Sequence, residues 1–325
     1  QERRELSGQN TLFAFAPAKN DRAVRCEQPV APACRKECSA NASAAVITLN
    51  DEQLKAVTHE RGPLVVVAGP GAGKTRTLVE RIEWLIFERG ADPAAMLAIT
   101  FSNRAADEMH QRISAVLSRR RITAVPEVCT FHRLGLNIIR EYYRKLGFES
   151  VPRVLTEEEA EELFVSITGG SKDAPRRWSL EKLVEAWAGM HGELPDPATL
   201  FAGLGDVWER YARIKRDTGV LDFTDLLILP LCLMSGDKAI VDRYRLQWPY
   251  IFVDEYQDVN LLQYQLLRFL AKAESDLFVI GDPDQAIYGF RGSDVRYFNR
   301  FTDDYPCGTR VALFRSYRSS ETIIK

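Results

Sequence analysis

Three features are scarce in this chain of 325 residues, and each scarcity excludes a class of protein. Only six cysteines are present and they are scattered, which excludes a disulfide framework and fits a reducing compartment. The longest apolar runs, 64–68 and the proline-interrupted 226–234, are far too short to span a bilayer. The net charge of −2 argues against a uniformly basic coat for nucleic acid. We therefore expect a cytoplasmic protein with no membrane partner.

The first 47 residues differ from the rest of the chain because they lack sustained hydrophobic periodicity and contain Cys26, Cys34 and Cys38. A structural zinc site needs four ligands, and neither a histidine nor a fourth cysteine lies nearby. One interpretation is a linker or partly disordered segment with incidental cysteines, and the other is a zinc knuckle completed by sequence outside the chain. The chain begins with Gln1 rather than methionine, so we expect it to be cut from a longer protein.

A glycine-rich loop between an apolar strand and a helix start is the strongest local signal. It fits the phosphate-binding loop pattern, with alanine at the first position where glycine is commonest, and comprises Ala68, Gly69, Pro70, Gly71, Ala72, Gly73, Lys74 and Thr75. Small residues let backbone N–H groups turn inward onto phosphate oxygens, and the helix directs its positive end at the same phosphates. Lys74 is expected to reach the β- and γ-phosphates, and Thr75 to offer its hydroxyl to Mg²⁺. The loop predicts binding of a nucleoside triphosphate.

A second signal is the segment 251–258, in which an apolar run ends in Asp254 and Glu255. Two carboxylates at the C-terminal end of a strand lie where α/β folds bind ligands. Asp254 is predicted to hold Mg²⁺, directly or through water, and Glu255 to accept a proton from the attacking water. A hydrolase needs that second carboxylate, whereas a protein that only binds nucleotide does not.

From residue 49 onward short apolar runs alternate with helical patterns, which indicates an α/β fold with a parallel sheet. The predicted strands are 64–68, 97–101, 128–130, 251–254, 278–281 and 311–314. Residues 132–217 interrupt this rhythm with helix-like material, in which Thr156 and Glu159 form a capping box. Trp178, Trp187 and Trp208 are expected in the core of this helical insert.

Several further segments follow one another in an order that resembles the N-terminal part of a superfamily 1 DNA helicase of the UvrD/Rep/PcrA type. The resemblance runs from about residue 48 to 325 and covers seven collinear motifs and one further family signature. Besides the loop at 68–75 and the acidic segment, they are 49–53 (LNDEQ), 100–109 (TFSNRAADEM), 130–134 (TFHRL), 221–226 (LDFTDL), 281–292 (GDPDQAIYGFRG) and 316–319 (SYRS). This collinear set is far more specific than any one motif.

The resemblance implies roles for residues around the nucleotide. Gln53 corresponds to the adenine-reading glutamine, and Tyr317 is expected to stack on adenine. Gln285 is implied to couple the γ-phosphate to the DNA face, for which an amide suits because it donates and accepts hydrogen bonds. Arg318 is implied to act as a fixed cation on the γ-phosphate, as an arginine finger does. Arg76 is placed either beside the nucleotide or in a surface salt bridge.

The resemblance also implies a path for single-stranded DNA, because stacking on aromatic rings is sequence-tolerant and suits a translocating enzyme. Phe101, Tyr288 and Phe290 are the predicted stacking residues, and Asn103, His132 and Arg291 the polar contacts. The family usually has tryptophan at the position of Phe290. Phe101 is interpreted either as a stacking residue or as a core residue. The basic run 213–216 (RIKR) is interpreted either as phosphate contacts or as a solvated face.

The implied architecture is a RecA-like ATP-binding domain over 48–130 and 218–312, split by a helical subdomain over 131–217. Residues 313–325 are expected to begin a second RecA-like domain that is missing, and therefore to be poorly anchored. The implied whole is an ATP- and Mg²⁺-dependent helicase or translocase that moves from 3′ to 5′ on single-stranded DNA and at single-strand/duplex junctions, with little activity in the fragment alone. Two alternatives stay open: the motor subunit of a helicase–nuclease, and a nucleotide-gated DNA clamp without productive unwinding.

Overall fold

Six parallel strands form the central sheet of this protein, which we describe from a computed structural model. The structure describes residues 49–170, 183–184, 186, 197–286 and 293–317. In spatial order the sheet reads β3-β2-β6-β7-β1-β8. Its strands are β1 (Leu64–Ala68), β2 (Met96–Thr100), β3 (Glu127–Thr130), β6 (Tyr250–Val253), β7 (Asp276–Gly281) and β8 (Thr309–Leu313). Every predicted strand is confirmed, with boundaries that differ by no more than two residues.

Helices cover both faces of this sheet, and that explains why its strands read as continuous apolar runs rather than as alternating ones. Successive residues of one strand point to opposite faces. Leu64 and Val66 therefore join a core beneath the helices α2 (Lys74–Arg89) and α3 (Asn103–Arg119). Val65 packs on the other face, in a core shared with the helices from α4 (Phe131–Tyr142) onward. The α/β fold class with a parallel sheet is confirmed.

Among the described residues no helix is both long and apolar enough to cross a membrane. Short 3₁₀ turns cover Pro93–Ala95, Tyr256–Asp258 and Pro283–Gln285. The other helices are α1 (Asp51–Val57), α5 (Glu157–Thr168), α6 (Pro197–Gly203), α7 (Asp206–Thr218), α8 (Asp225–Gly236), α9 (Lys238–Gln247), α10 (Leu261–Leu270), α11 (Arg296–Asn299) and α12 (Phe301–Asp304).

The stretch between β3 and β6 is mainly helical where it is described. Its described residues contribute a two-stranded parallel sheet, β4 (Arg153–Val154) with β5 (Val220–Leu221), which is separate from the central sheet. The capping box of Thr156 and Glu159 is present at the start of α5, as predicted. Trp208 is buried, with its ring centroid 5.0 Å from that of Phe164. Trp178 and Trp187 lie outside the described residues.

Helices α4 and α8 approach each other so closely that only glycine fits at one contact. A Cβ atom added to Gly135 would lie 1.7 Å from the carbonyl oxygen of Leu226. Close packing at this point fixes the position of α4, whose first turn carries His132, relative to the segment that precedes α8. The consequence is that the two elements lining one side of the candidate site are held as a unit.

Lys215 is a buried cation between α7 and the start of α8. Its Nζ atom lies 3.0 Å from Asp222 Oδ2 and 2.6 Å from Asp225 Oδ2, and all three side chains are almost fully buried. Burial acts to lower the pKa of Lys215, but the two carboxylates outweigh it and the pKa is raised. The interpretation of the whole run 213–216 as a solvated or DNA-facing patch is therefore wrong for Lys215.

Candidate active site

The loop after β1 has the backbone shape that the glycine pattern predicted. Gly71 and Gly73 have φ angles of 74° and 83°, a region that residues with a Cβ rarely adopt. Gly73 is the N-cap of α2 and gives no side-chain cap, and the first turn of that helix contains no acidic residue. Its first N–H groups therefore have no side-chain partner from the cap, which is the arrangement that binds anions at a helix start.

The end of the glycine-rich loop and the acidic pair Asp254 and Glu255 come together at the C-terminal edge of the sheet. Lys74 Nζ lies 3.4 Å from Glu255 Oε2, and Thr75 Oγ1 donates a hydrogen bond of 3.2 Å to Asp254 Oδ2. Asp254 is buried at the end of β6, and burial together with the charge of Glu255 raises its pKa to about 6. A carboxylate that is costly to ionise beside a hydroxyl is a site that a cation stabilises.

The donor set of Thr75 and Asp254 fits Mg²⁺, which prefers hard oxygen ligands and usually takes only one or two from the protein when nucleotide phosphates supply others. Across the described ranges, no group of three or more His, Cys, Asp and Glu side chains is arranged to hold a metal ion. The residues present therefore suit a metal that arrives with its nucleotide better than a permanent metal centre. Cys26, Cys34 and Cys38 lie outside the described residues.

Glu255 has a backbone conformation that is unusual for its residue type. Its φ angle is 49°, one of two positive values among the described non-glycine residues. Such conformations cost about 1–3 kcal/mol and persist where the surrounding structure enforces them, commonly at functional sites. The turn directs Glu255 away from the strand axis that carries Asp254, so that the two adjacent carboxylates face different partners, Lys74 and Thr75.

Gln53 is buried against the phosphate-binding loop, so it is not an ordinary surface glutamine of α1. Its Nε2 donates to the carbonyl oxygen of Ala72 at 3.0 Å, and its Oε1 accepts from the backbone N–H of Asn50 at 3.1 Å. A Cβ atom at Gly73 would lie 3.0 Å from the same Nε2. The structure thus brings Gln53 to the loop and leaves its predicted contact with adenine a prediction.

The segment that follows β8 lies along the phosphate-binding loop. Tyr317 N–H donates to the carbonyl oxygen of Gly71 at 2.9 Å, and Ser316 Oγ donates to that of Pro70 at 2.9 Å. Phe314 N–H is held by Glu52 Oε2 at 2.9 Å. The expectation of a poorly anchored segment from residue 313 is therefore wrong for 314–317, because these hydrogen bonds tie it to α1 and to the phosphate-binding loop.

Arg76 and Gln285 have local partners in the structure. Arg76 Nε lies 3.7 Å from Glu80 Oε1 one helical turn away, which agrees with the surface salt-bridge alternative. The Gln285 amide donates to Asp282 Oδ2, and Asp282 caps the 3₁₀ turn that contains Gln285. Gln285 is thereby held just after β7, the strand that pairs directly with β1 and lies next to the phosphate-binding loop.

A groove of about 1150 Å³ opens beside the acidic pair, and three predicted DNA contacts line it together: Phe101, Asn103 and His132. Phe101 is 39 % exposed, so the alternative that it is a core residue is wrong. A small cavity of about 10 Å³ joins this groove to the acidic pair, since Phe101, His132, Asp254, Glu255 and Asp258 all line it. The predicted nucleotide site at the C-terminal edge of the sheet and the groove are therefore neighbours.

His132 and Phe223 form an aromatic pair in the groove. Their rings stack with centroids 4.0 Å apart and an interplanar angle of 23°. Burial lowers the pKa of His132 to about 4, so the ring is neutral at neutral pH. Phe223 is 50 % exposed, and it is not among the residues that the motifs predicted to contact DNA. Its position within the signature 221–226, as an aromatic residue between Asp222 and Asp225, was the available signal.

Comparison with known proteins agrees with this geometry. The family profile described as the UvrD/REP helicase N-terminal domain matches residues 49–306. The chain belongs to this family. Among similar curated proteins, the ATP-dependent DNA helicase PcrA of Staphylococcus aureus is 32 % identical over 284 residues, which cover 85 % of this chain and 39 % of the relative. PcrA of Staphylococcus epidermidis is 32 % identical over 290 residues, covering 87 % and 40 %. The chain thus spans well under half the length of these relatives.

Four predicted site residues of this UvrD/REP helicase N-terminal domain lie outside the described residues: Tyr288, Phe290, Arg291 and Arg318. The structure describes residues on either side of 288–291: Gln285 is the last residue of the 3₁₀ turn after β7, and Ser293 forms a β-bridge with Asn260. Asn260 also lines the groove. The roles of these four residues stay predictions from the sequence.

Proposed function

We propose that this chain is the ATP-binding part of an ATP-dependent DNA helicase or translocase that hydrolyses ATP with Mg²⁺. The observation that carries the proposal is the meeting of Lys74, Thr75, Asp254 and Glu255 at one edge of the sheet, next to a groove lined by aromatic and polar side chains. Family membership and the helicase names of the similar proteins support the same activity.

In this proposal the glycine loop and the start of α2 bind the triphosphate, and Lys74 neutralises its charge. Thr75 and Asp254 hold Mg²⁺, which supplies charge stabilisation on the phosphates during phosphoryl transfer. Glu255 accepts the proton of the attacking water. Lys74 lies 3.4 Å from Glu255 and would exchange this contact for phosphate oxygens when the nucleotide binds.

The remaining nucleotide contacts come from elements around the loop. Tyr317 stacks on adenine and Gln53 reads its edge, because both are already fixed to the loop backbone. Gln285 and Arg318 act on the γ-phosphate, as the family resemblance implies. Arg76 is assigned to the surface salt bridge with Glu80 in the absence of nucleotide.

Single-stranded DNA is proposed to lie in the groove. Phe101 and the exposed Phe223 offer ring faces, Asn103 offers hydrogen bonds, and the neutral His132 supports Phe223 by stacking rather than by binding phosphate as a cation. Tyr288, Phe290 and Arg291 are proposed to extend this path from the loop after Gln285. Stacking of this kind binds DNA without regard to sequence.

We further propose the domain division expected from the sequence. Residues 48–130 and 218–312 form the RecA-like domain, 131–217 form the helical subdomain, and 313–325 lead into a second RecA-like domain of the kind that the greater length of the relatives accommodates. That second domain completes the ATP site and the DNA path. Translocation from 3′ to 5′, junction substrates and a cytoplasmic location belong to the same proposal.

Strand displacement by the full-length gene product tests the function. The substrates are duplexes with either a 3′ or a 5′ single-stranded tail, incubated with Mg²⁺ and ATP, and the matched control is Lys74→Ala. We expect ATP-dependent unwinding of the 3′-tailed duplex only, and none by the variant. ATP hydrolysis that DNA stimulates without displacing a strand would instead establish a translocase or clamp. Unwinding by Lys74→Ala would refute the assignment of the nucleotide site.

A further inference from the structure

Gln257 is a buried amide next to the acidic pair, and the nucleotide site described above does not use it. It lies in the 3₁₀ turn Tyr256–Asp258 and is 2 % exposed. Its Nε2 donates to Glu255 Oε2 at 2.9 Å and to Asp258 Oδ2 at 3.3 Å, and its Oε1 accepts from the backbone N–H of Asp282 at 2.9 Å. Both ends of the amide are therefore occupied inside the protein.

The chemistry of these partners allows only one orientation of the amide. Two carboxylates require the NH₂ group, and a backbone N–H requires the carbonyl oxygen. A flipped amide would place its oxygen against Glu255 and Asp258 and its NH₂ group against another donor. Gln257 is consequently a directional connector between the turn after β6 and the end of β7.

The neighbouring strand is built around this side chain. A Cβ atom added to Gly281, the last residue of β7, would lie 2.3 Å from Gln257 Oε1 and 3.1 Å from the backbone nitrogen of Tyr256. Gly281 has no positive φ angle that would itself require glycine. The absence of a side chain at 281 therefore makes room for the Gln257 amide and for the turn that carries it.

We propose that Gln257 is a positioning residue for hydrolysis: it holds the carboxylate of Glu255 against Lys74 and links it to Asp282. This inference rests on the proposed role of Glu255 as the general base. Glu255 sits on a turn with a φ angle of 49° and, in the described contacts, its carboxylate meets only Lys74 and Gln257. When nucleotide draws Lys74 toward phosphate, Gln257 is the contact that keeps Glu255 in place.

The same hydrogen bonds connect the base to the loop that the DNA site shares. Asp282 donates its N–H to Gln257, and its carboxylate accepts from the Gln285 amide. A continuous chain of polar contacts thus runs from Lys74 through Glu255, Gln257 and Asp282 to Gln285. The position of the general base and that of the 3₁₀ turn Pro283–Gln285 are therefore set together.

The test compares Gln257→Leu and Gln257→Glu in the full-length gene product. Leucine loses all three hydrogen bonds, whereas glutamate keeps an acceptor for Asp282 N–H and replaces the donor to Glu255 by a like charge. We expect both variants to lower kcat for ATP hydrolysis by about 100-fold, because small misplacements of a reacting group have effects of that order. The Kd of a fluorescent ATP analogue with Mg²⁺ should change by less than about threefold, since Gln257 does not reach the nucleotide.

A double-mutant cycle with Glu255→Gln separates positioning from general damage. If Gln257 acts through Glu255, adding Gln257→Leu to Glu255→Gln should change the residual kcat by less than about threefold. Tyr244→Phe is the control: it removes a side-chain hydrogen bond of another buried residue, 2.7 Å long to the exposed Glu141 and outside the site. It should lower the melting temperature without lowering kcat.

Distinct outcomes refute the two assignments. Wild-type kcat in a folded Gln257→Glu or Gln257→Leu protein overturns the positioning role, as does a full multiplicative loss in the double variant. Wild-type hydrolysis by Glu255→Gln overturns the base assignment itself, and with it the proposal that depends on it. Loss of kcat with unchanged nucleotide affinity and no further loss in the double variant supports both.

Discussion

The partly buried ring of His132 makes the stability of this protein depend on pH in a specific window. Its pKa is lowered from 6.5 to about 4 because burial penalises the charged ring. The folded state therefore resists protonation, while the unfolded chain takes up a proton below pH 6.5. Stability from this group is fully present above pH 6.5, falls as the pH drops toward 4, and levels off below that value.

The size of the effect follows from the shift. Each pKa unit corresponds to about 1.4 kcal/mol, so a shift of about 2.5 units predicts a loss of up to about 3 kcal/mol between pH 6.5 and pH 4. Replacing His132 by Phe preserves an aromatic ring that stacks on Phe223 and removes the titration. The variant should lose correspondingly less stability over the same interval.

Urea denaturation at pH 7.5, 6.5, 5.5 and 4.5 measures this difference. Other carboxylates also titrate in this range, so the informative quantity is the difference between wild type and His132→Phe at each pH, referred to its value at pH 7.5. We expect that difference to shift by about 2–3 kcal/mol in favour of the variant at the lowest pH. A difference that stays constant with pH would mean that water reaches the ring and the reasoning about burial is wrong.

Three further predictions address the site and its scaffold. Glu255→Gln should keep Mg²⁺–ATP binding, measured with a fluorescent analogue, and lower the hydrolysis rate by about 10²–10⁴-fold, because it removes the base and leaves Asp254; loss of binding instead would assign Glu255 to the metal. Phe290→Ala should weaken binding of a labelled oligonucleotide by about 1–3 kcal/mol and leave ATP binding intact, and unchanged DNA affinity would make Phe290 a packing residue. Gly135→Ala should destabilise the protein by at least about 2 kcal/mol in urea denaturation, because its Cβ would lie 1.7 Å from a carbonyl oxygen. The control is Gly236→Ala, where no atom lies within 4 Å of the added Cβ, and it should change stability by less than about 0.5 kcal/mol. Equal effects of the two substitutions would refute the packing argument.

The sequence predicted the parts of this structure that depend on local chemistry. Strands buried on both faces are written as apolar runs, the loop after β1 needs its glycines for positive φ angles, and the capping box of α5 is fixed by residues three apart. Because α/β folds bind ligands at the carboxyl ends of their strands, the position of Asp254 and Glu255 at the sheet edge that carries the phosphate-binding loop also followed from the motifs.

The sequence patterns did not predict contacts that arise when separate helices and strands pack together. Phe223 reaches His132 only because α4 and α8 pack at Gly135, and nothing near either residue in the sequence reports that contact. Lys215 reads as one of several cations in a basic run, and its two carboxylate partners become evident only when α7 is placed against the start of α8. The same is true of Gln257, because its side-chain oxygen accepts a hydrogen bond from the N–H of Asp282, which follows a different strand, β7.

The order of strands has a consequence for synthesis of the chain. β1, which precedes the phosphate-binding loop, pairs with β7 on one side and with β8 on the other. Leu64 therefore has no strand neighbour until Phe278 or Thr309 has been synthesised. At ordinary translation rates about 200 residues take about 10–40 s to emerge, and during that time an apolar strand with the sequence LVVVA has no partner in the sheet. A nascent chain of this protein is therefore exposed to misassociation through the very strand on which nucleotide binding depends, and the nucleotide site is among the last parts to form.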